Sequence, residues 1–483
     1  MKILVAIANF GIKNIKYLER LLIEYRSINK YQIEIVVLSN IEKDLGPDVE
    51  VLVGLPAKNP WSLPFGHKKL FADRMENYDL FIYSEDDTLI TERSIDAFIE
   101  VTRILPKEFI AGFIRYEISE SGNRYYSTIH AHYHWDPNSI LQIGGYIFAH
   151  YTNDHSACFI LTQGQLKRAI HSGGFLLPPR IGRYDMLVTA ATDPYTQCGM
   201  KKLICISRLD EFCLHHLPNV YCGKIGLDAG TADREIEKLK AISGTDTDRA
   251  PLFETSTLLE DASWDKRYYE PARRDILSLI PTGVKRVLSV GCGCGSTESE
   301  MIKQGMEVAG IPLDCVIQVS AESKGIRILP PNFTAAIEAL RGERFHCILF
   351  SDLLQHLPDP ISLFGDFMNL LEENGCMIVS VPNFNHHSVV RKRMDGKLQF
   401  PKGTGKKAYE KYKLHFTTRR MLRSWLERCG LEVIRYSHHF EPQLIRWKRI
   451  AFGIPSGILS RNIVLLCKRN SSKSMEKPSC VQV

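Results

Sequence analysis

Residues 287–295 read VLSVGCGCG, an apolar run that ends in three glycines at alternate positions, Gly291, Gly293 and Gly295. The run has the length and composition of a buried strand. The glycines allow a sharp turn and a close approach of the backbone to a ligand. Thr297 and Glu300 follow at the spacing of a capping pair, which predicts that a helix starts there. Strand, turn and helix together predict an α/β domain that binds a ligand at this turn.

Strand-like runs separated by helical patterns continue on both sides of this turn, and they predict mostly parallel sheets covered on both faces. In the second half of the chain the predicted strands are residues 284–290, 306–311, 347–351, 376–381 and 462–467. The predicted helices of this half are residues 297–304, 361–372 and 418–429. In the first half the predicted strands are residues 3–10, 33–39, 49–55 and 80–84. The fold class is therefore α/β, with two Rossmann-like domains.

A chain of 483 residues is too long for one ordinary core, so a domain boundary is expected between the two blocks. The polar run at residues 243–249 predicts that this boundary lies in a linker. The predicted organisation is an N-terminal domain at 1–225, a linker at 226–265, a C-terminal domain at 266–470 and a disordered tail at 471–483.

Three further segments of the second half carry a family resemblance. Residues 345–360 read FHCILFSDLLQHLPDP, residues 375–386 read GCMIVSVPNFNH, and residues 415–433 read HFTTRRMLRSWLERCGLEV. With the glycine turn, they resemble class I S-adenosylmethionine (SAM)-dependent methyltransferases that methylate quinone, sugar or lipid-linked hydroxyls. The resemblance implies a seven-stranded sheet and SAM as cofactor.

The resemblance also assigns residues to roles. It implies that Gly291, Gly293 and Gly295 face the methionine part of SAM. It places Asp352 at the end of a strand near the methyl group. A hydroxyl acceptor gains from a base, and His356 is one histidine placed to serve.

The cofactor-binding residues depart from the family pattern at two positions. Ser289 stands where the family usually has an acid, and Pro312 stands where the family usually has the acid that binds the ribose hydroxyls. Asp314 is the nearest carboxylate that could take over the ribose contact. Two outcomes stay open: methyl transfer, or a retained fold with little or no SAM affinity.

In the first half, residues 79–90 read DLFIYSEDDTLI, so a buried strand delivers Glu85, Asp86 and Asp87 to its C-terminal end. In an open α/β sheet ligands bind at that edge. Clustered carboxylates suit a hard divalent cation such as Mg²⁺ or Mn²⁺. An acidic surface turn is the alternative.

This arrangement resembles nucleotide-sugar glycosyltransferases of the GT-A fold, whose metal motif is Asp-X-Asp. The resemblance implies a GT-A-like mixed sheet, a nucleotide-sugar donor, and Mn²⁺ or Mg²⁺ held by Glu85, Asp86 or Asp87. It further implies a metal- or diphosphate-binding role for His216, or its neighbour His215. Asp185, at a predicted helix start, is the expected base or acceptor-positioning residue, unless it is a helix cap.

Bulk properties limit the partners. The formal charge of +6 is spread among acidic residues and gives no case for nucleic-acid binding. No apolar stretch reaches the roughly 20 residues that span a membrane, so the chain is expected in the cytoplasm, free or peripheral to a membrane. The basic segment 391–413 fits an anionic acceptor, or else is a solvated loop.

Together these features predict a bifunctional sugar-modifying enzyme. Nucleotide-sugar-dependent glycosyl transfer and SAM-dependent O-methyl transfer would act on a glycan or lipid-linked acceptor in surface polysaccharide assembly. Two alternatives stay open: an active glycosyltransferase with a degenerate methyltransferase-like scaffold, or a methyltransferase with an inert N-terminal domain.

Overall fold

The computed structural model describes residues 1–127, 133–222, 226–259, 261–395, 406–437 and 456–470. The chain divides into two compact units, Met1–Asp248 and Arg249–Val483. The predicted tail at 471–483 and the middle of the basic segment, 396–405 with Lys397 and Lys402, lie outside the described residues. Among the described residues, no helix has the length and apolar character needed to cross a membrane.

Unit 1 (Met1–Asp248) alternates strands and helices at first and is rich in strands later. Its strands are β1 (Lys2–Asn9), β2 (Gln32–Ser39), β3 (Val49–Val53), β4 (Leu80–Glu85), β5 (Thr88–Leu89), β6 (Phe109–Ala111), β7 (Ile114–Ile118), β8 (Arg124–Ser127), β9 (Trp135–Ile143), β10 (Tyr146–Tyr151), β11 (Cys158–Thr162), β12 (Lys201–Cys205), β13 (Cys213–His216) and β14 (Gly226–Asp228). Its α-helices are α1 (Ile15–Ser27), α2 (Gly66–Arg74), α3 (Glu92–Thr102), α4 (Gln163–His171), α5 (Met186–Thr196) and α6 (Ala229–Ile242). Short 3-10 helices cover Pro60–Phe65, Met75–Asn77 and Ile206–Glu211.

The strands of unit 1 form three sheets, and the first carries the predicted acidic site. Its order is β11-β4-β1-β2-β3. The neighbours of β1 and β2 run parallel, whereas β11 runs antiparallel to β4. The other sheets, β6-β12-β10-β9 and β14-β8-β7-β13-β5, mix both directions. The prediction of an α/β fold with a mixed sheet is confirmed.

Unit 2 (Arg249–Val483) holds the glycine turn. Its strands are β15 (Arg286–Cys292), β16 (Glu307–Pro312), β17 (Arg327–Ile328), β18 (Phe345–Ser351), β19 (Leu371–Pro382), β20 (Leu431–Ser437) and β21 (Asn462–Arg469). Its α-helices are α7 (Arg274–Leu277), α8 (Ser296–Lys303), α9 (Gln318–Glu322), α10 (Phe333–Ala339), α11 (Pro360–Met368), α12 (His387–Met394), α13 (Lys406–Tyr412), α14 (Arg419–Arg428) and α15 (Ser456–Leu459). Short 3-10 helices cover Ala262–Trp264 and Leu354–His356.

The strands of unit 2 in the described residues join one seven-stranded sheet, in the order β17-β16-β15-β18-β19-β21-β20. Among these strands, only β21 runs antiparallel to its neighbours. Alternate residues of the central strands enter two apolar cores: Leu288 and Ile348 lie in one, Val287 and Leu349 in the other. The sheet is therefore buried on both faces, as parallel sheets are.

One boundary prediction was wrong. The helix expected over 361–372 ends at Met368, because Leu371 already pairs with Phe345 and opens β19. The division between the units falls inside the predicted linker, whose two ends are packed rather than free. Ile236 of α6 is buried in unit 1, and Phe253 is buried in a core of unit 2.

Candidate functional site

The glycine turn lies at the end of β15 and begins α8. Gly291 and Gly295 have φ values of 74° and 76°, which glycine adopts without steric cost. The capping pair predicted from Thr297 and Glu300 is wrong. Gly295 is the N-cap and has no side chain to offer, and the Thr297 hydroxyl instead accepts a hydrogen bond from the backbone of Arg273 at 3.0 Å.

A carboxylate lies beside Ser289 although the sequence lacks an acid there. The Ser289 hydroxyl donates to Oε1 of Glu298 at 2.6 Å, and both side chains are buried. Glu298 reaches this position from the first turn of α8. Sequence analysis missed it, although an acidic residue in the first turn after the glycines was a visible signal.

At the end of β16 the structure gives Asp314 a structural contact. Its Oδ1 accepts from the backbone N–H groups of Val316 and Ile317 at 2.7 and 2.8 Å, and the residue is 1% exposed. Pro312 and Leu313 beside it are buried. A buried carboxylate that already accepts from two backbone N–H groups is poorly placed to meet ribose hydroxyls, so the prediction that Asp314 contacts the ribose has no support from this geometry.

Protein atoms also approach the glycine turn closely. The carbonyl oxygen of Tyr268 lies 2.2 Å from where a Cβ of Gly293 would stand, and it accepts from the backbone of Cys294 at 2.7 Å. A Cβ at Gly291 would lie within 3.7 Å of Phe253, Leu313 and Leu353 side chains. In this arrangement the β15–β16 edge does not fit an adenosyl group.

Asp352 follows β18 directly and has a φ of 49°, unusual for a non-glycine residue. Its Oδ1 accepts from the Ser380 hydroxyl and its Oδ2 from Nη1 of Arg273, both at 2.5 Å. Burial alone would raise the pKa of Asp352, but the charges of Arg273 and Lys266 hold it below its ordinary value. Asp352 is therefore a fixed, ionised carboxylate at neutral pH.

Arg273 links this carboxylate to its surroundings. Its Nε and Nη2 donate to the two oxygens of Asp275 at 2.8 Å, and Nη2 also donates to Ser380 at 2.9 Å. Nearby, Lys266 donates from Nζ to the Ser351 carbonyl. Sequence analysis missed Arg273, since no local pattern relates it to partners as far away as Asp352.

A cavity of about 500 Å³ opens beside Asp352, at the C-terminal ends of β18 and β19. Side chains of both charges line it: Lys266, Arg267, Arg273, Lys392, Arg461, Asp265, Glu270 and Asp352. Glu270 is a second carboxyl in this wall, and burial raises its pKa. The two carboxyls Asp352 and Glu270 therefore have pKa values shifted in opposite directions, as acid–base pairs in active sites often do.

His356, predicted as catalytic, does not line this cavity. It is 1% exposed, its ring stacks on Phe253 at 5.9 Å, and its ring nitrogens have no hydrogen-bond partner among the described residues. Burial, together with the charge of Lys266, lowers its pKa to about 3. In this position His356 is a neutral core side chain.

In unit 1 the predicted acidic site lies at the C-terminal end of β4. Burial and the charge of Asp87 raise the pKa of Glu85 to about 8, and burial raises that of Asp86 to about 6. Asp86 accepts from the side chains of Asn9 at 2.5 Å and Asn14 at 2.9 Å, so both of its oxygens are already engaged.

His216 lies between two carboxylates. Its Nε2 is 3.5 Å from Oδ2 of Asp87, and its Nδ1 is 2.6 Å from Oε1 of Glu117. Glu117 is a partner that sequence analysis missed. The neighbouring His215 instead contacts the side-chain oxygen of Asn219 at 3.0 Å.

The predicted metal set Glu85, Asp86, Asp87 and His216 is not gathered as a ligand set. The described part of the chain holds no group of three or more His, Cys, Asp or Glu residues placed to bind a metal ion. Asp185 is exposed and caps α5 by accepting from the backbone of Val188 at 3.0 Å. Its negative charge still contributes to the raised pKa of Glu85.

The sheet order of unit 2, its single antiparallel strand and the glycine turn after its central strand define a methyltransferase-type α/β domain. Comparison with known proteins agrees. The family model described as "Methyltransferase domain" matches residues 263–436.

Two curated relatives are ubiquinone biosynthesis O-methyltransferases. The one from Ruegeria sp. is 30% identical over 185 residues, which are 36% of this chain and 71% of that protein. The one from Cereibacter sphaeroides is 34% identical over 122 residues, which are 24% of this chain and 48% of that protein. The chain thus spans about half the length of several curated relatives that it matches.

Among solved structures, an S-adenosylmethionine-dependent methyltransferase from Mesorhizobium loti is similar, with a TM-score of 0.30 and 16% identity, covering 41% of this chain and 96% of that one. The Ruegeria relative, 30% identical and covered over 71% of its length, shows that the chain belongs to the methyltransferase family.

Proposed function

We propose that unit 2 is a SAM-dependent O-methyltransferase that binds a hydroxyl-bearing acceptor, a glycan or lipid-linked sugar, in the cavity beside Asp352. The observation that carries this proposal is the placement of two carboxyls in one cavity wall: Asp352 is bonded to Arg273 and Ser380, whereas Glu270 lies 3.7 Å from Arg273 and has a pKa raised by burial. The family implies SAM as donor, which would supply an already activated methyl group. The protein then has to orient the acceptor and accept its proton.

Each carboxyl suits a different task. Asp352 is held by Arg273 and Ser380, so it stays ionised and can orient the acceptor by accepting a hydrogen bond. Glu270, whose pKa is raised by burial, is the better proton acceptor near neutral pH. Arg267, exposed at the cavity, would favour an acceptor that carries a phosphate.

The test is methyl transfer from radiolabelled SAM, with glucose 1-phosphate as the acceptor probe. We expect Glu270→Gln to lower kcat about 100-fold and to remove the lower limb of the pH profile. Asp352→Asn is expected to raise KM for the acceptor. The control is Asp366→Asn, on the exposed side of α11, which should change neither kcat nor KM. No calorimetric heat at millimolar SAM and no label transfer would remove the proposal.

We also propose nucleotide-sugar-dependent glycosyl transfer by unit 1, which would make the chain bifunctional. What favours it is that Asp87, just after β4, lies beside His216, and that the charges of Asp87 and Asp185 act on Glu85. Hydrolysis of UDP-glucose with and without Mn²⁺ tests it. Activity lost in Asp87→Ala but kept in Asp73→Ala, an exposed carboxylate on α2, would support it. Absence of hydrolysis under both conditions would leave unit 1 without this role.

A further inference from the structure

Residues 251–255, which we call the cover segment, run along the C-terminal edge of the unit 2 sheet. The backbone N–H of Leu252 donates to the carbonyl of Leu313, just past β16, at 2.7 Å. Thr255 accepts from the backbone of Lys266 at 2.8 Å, which ties the segment to the chain that leads into Tyr268. The cover segment is therefore part of the fold, although it lies in the predicted linker.

The side chain of Phe253 fills the space in front of the glycine turn. Its Cε1 lies 3.6 Å from the Cβ position of Gly291, and it shares one apolar core with Leu313 and Leu353. Its other face stacks on the His356 ring. Phe253 is 8% exposed, so the space it occupies is closed to solvent.

This location is where an open α/β sheet binds its ligand. The chain extends the sheet from β15 to β16 and β17 on one side, and from β18 onward on the other. The strand order therefore reverses between β15 and β18, and ligands bind beyond the strand ends at such a switch point. Gly291 is the second-last residue of β15, Leu353 lies two residues past β18 and Leu313 directly follows β16, so Phe253 contacts the edge at the switch point itself.

We propose that the cover segment is an autoinhibitory plug: Phe253 occupies the adenosyl position, and SAM binds only after the segment moves away. The proposal rests on the SAM dependence proposed above. A ligand that binds only the open form has its apparent affinity reduced by the fraction of open molecules. Truncating Phe253 removes apolar contacts that hold the closed form and vacates the position.

The experiment is calorimetric titration of the full chain with SAM. We expect Phe253→Ala to bind SAM at least tenfold more tightly than the wild type. Phe416→Ala is the matched control, because Phe416 is equally buried at 8% exposure in a different apolar cluster. The affinity of Phe416→Ala for SAM should equal that of the wild type. Equal affinity in the wild type and Phe253→Ala would overturn the plug and leave methyl transfer standing. No heat from either protein would overturn both proposals.

Hydrogen exchange of the wild type provides a readout that does not depend on a folded variant. If SAM displaces the cover segment, the amide of Leu252 loses its bond to Leu313 and exchanges faster when SAM is added. Slower exchange of that amide with SAM bound would mean that the segment closes over the ligand, which contradicts the plug.

Discussion

In each unit an acidic side chain lies at the end of a parallel strand or directly after it, but the pKa of the two carboxyls is shifted in opposite directions. At the end of β4, burial and the charge of Asp87 raise the pKa of Glu85 to about 8. After β18, Arg273 and Lys266 outweigh burial and lower the pKa of Asp352. Residue type and strand position therefore do not set the charge of such a site. The cations packed against it do, and these come from distant parts of the chain.

The largest effect is expected when the cation of unit 2 is removed. Arg273→Ala leaves the buried Asp275 and the partly exposed Asp352 without this charged partner, and breaking a buried ion pair costs about 3–5 kcal/mol. The free energy of unfolding, measured by denaturant titration of the full chain, should fall by about that amount.

Arg341→Ala is the control for this loss, because the Arg341–Glu338 pair is exposed and contributes at most about 0.5 kcal/mol. If both variants lose equally little stability, Arg273 does not hold the network around Asp352, and the contrast between Asp352 and Glu85 disappears.

The next effect concerns Glu85. A carboxyl whose pKa is raised on folding stabilises the fold below its unfolded pKa, near 4.5, and this contribution is lost as pH rises through about 8. Glu85→Gln cannot ionise, so its stability relative to the wild type should rise with pH, by about 2–3 kcal/mol between pH 4.5 and pH 6.5, since each pH unit corresponds to about 1.4 kcal/mol. Calorimetry at pH 4.5, 6.5 and 8.5 measures the trend. A difference that stays constant with pH would place Glu85 in a solvated environment instead.

Five of the seven described strands of unit 2 were predictable because they follow from local hydrophobic runs, and the family resemblance implied a seven-stranded sheet. Asp352 was predictable for the same reason, since it directly follows a strand. Its partner Arg273 lies 79 residues away and Ser380 lies 28 away, and no periodicity connects such positions. Sequence could place the carboxylate but not the cation that sets its pKa.

The cover segment was missed for a different reason. Residues 251–255 alternate neither like a strand nor like a helix, so they were assigned to a linker. Leu252 and Phe253 are nonetheless buried, because a sheet edge with Pro312 and Leu313 in place of ribose-binding polar groups presents apolar surface to cover. The departure at Pro312 was visible in the sequence, but what covers the edge was not.

The smallest effect is expected at His356, where the pH trend runs opposite to that of Glu85. Its pKa is lowered to about 3 on folding, so its contribution is present above the unfolded value of 6.5 and is lost as pH falls. His356→Phe keeps a ring against Phe253 and cannot be protonated. The free energy of unfolding of this variant should therefore exceed that of the wild type by about 1 kcal/mol at pH 5.5, since one pH unit corresponds to about 1.4 kcal/mol. His346→Phe, half-buried in the same unit, controls for the loss of a histidine. An advantage of His356→Phe that shrinks on acidification would show that His356 is protonated in the fold, and the two units would then share one pH trend instead of opposing each other.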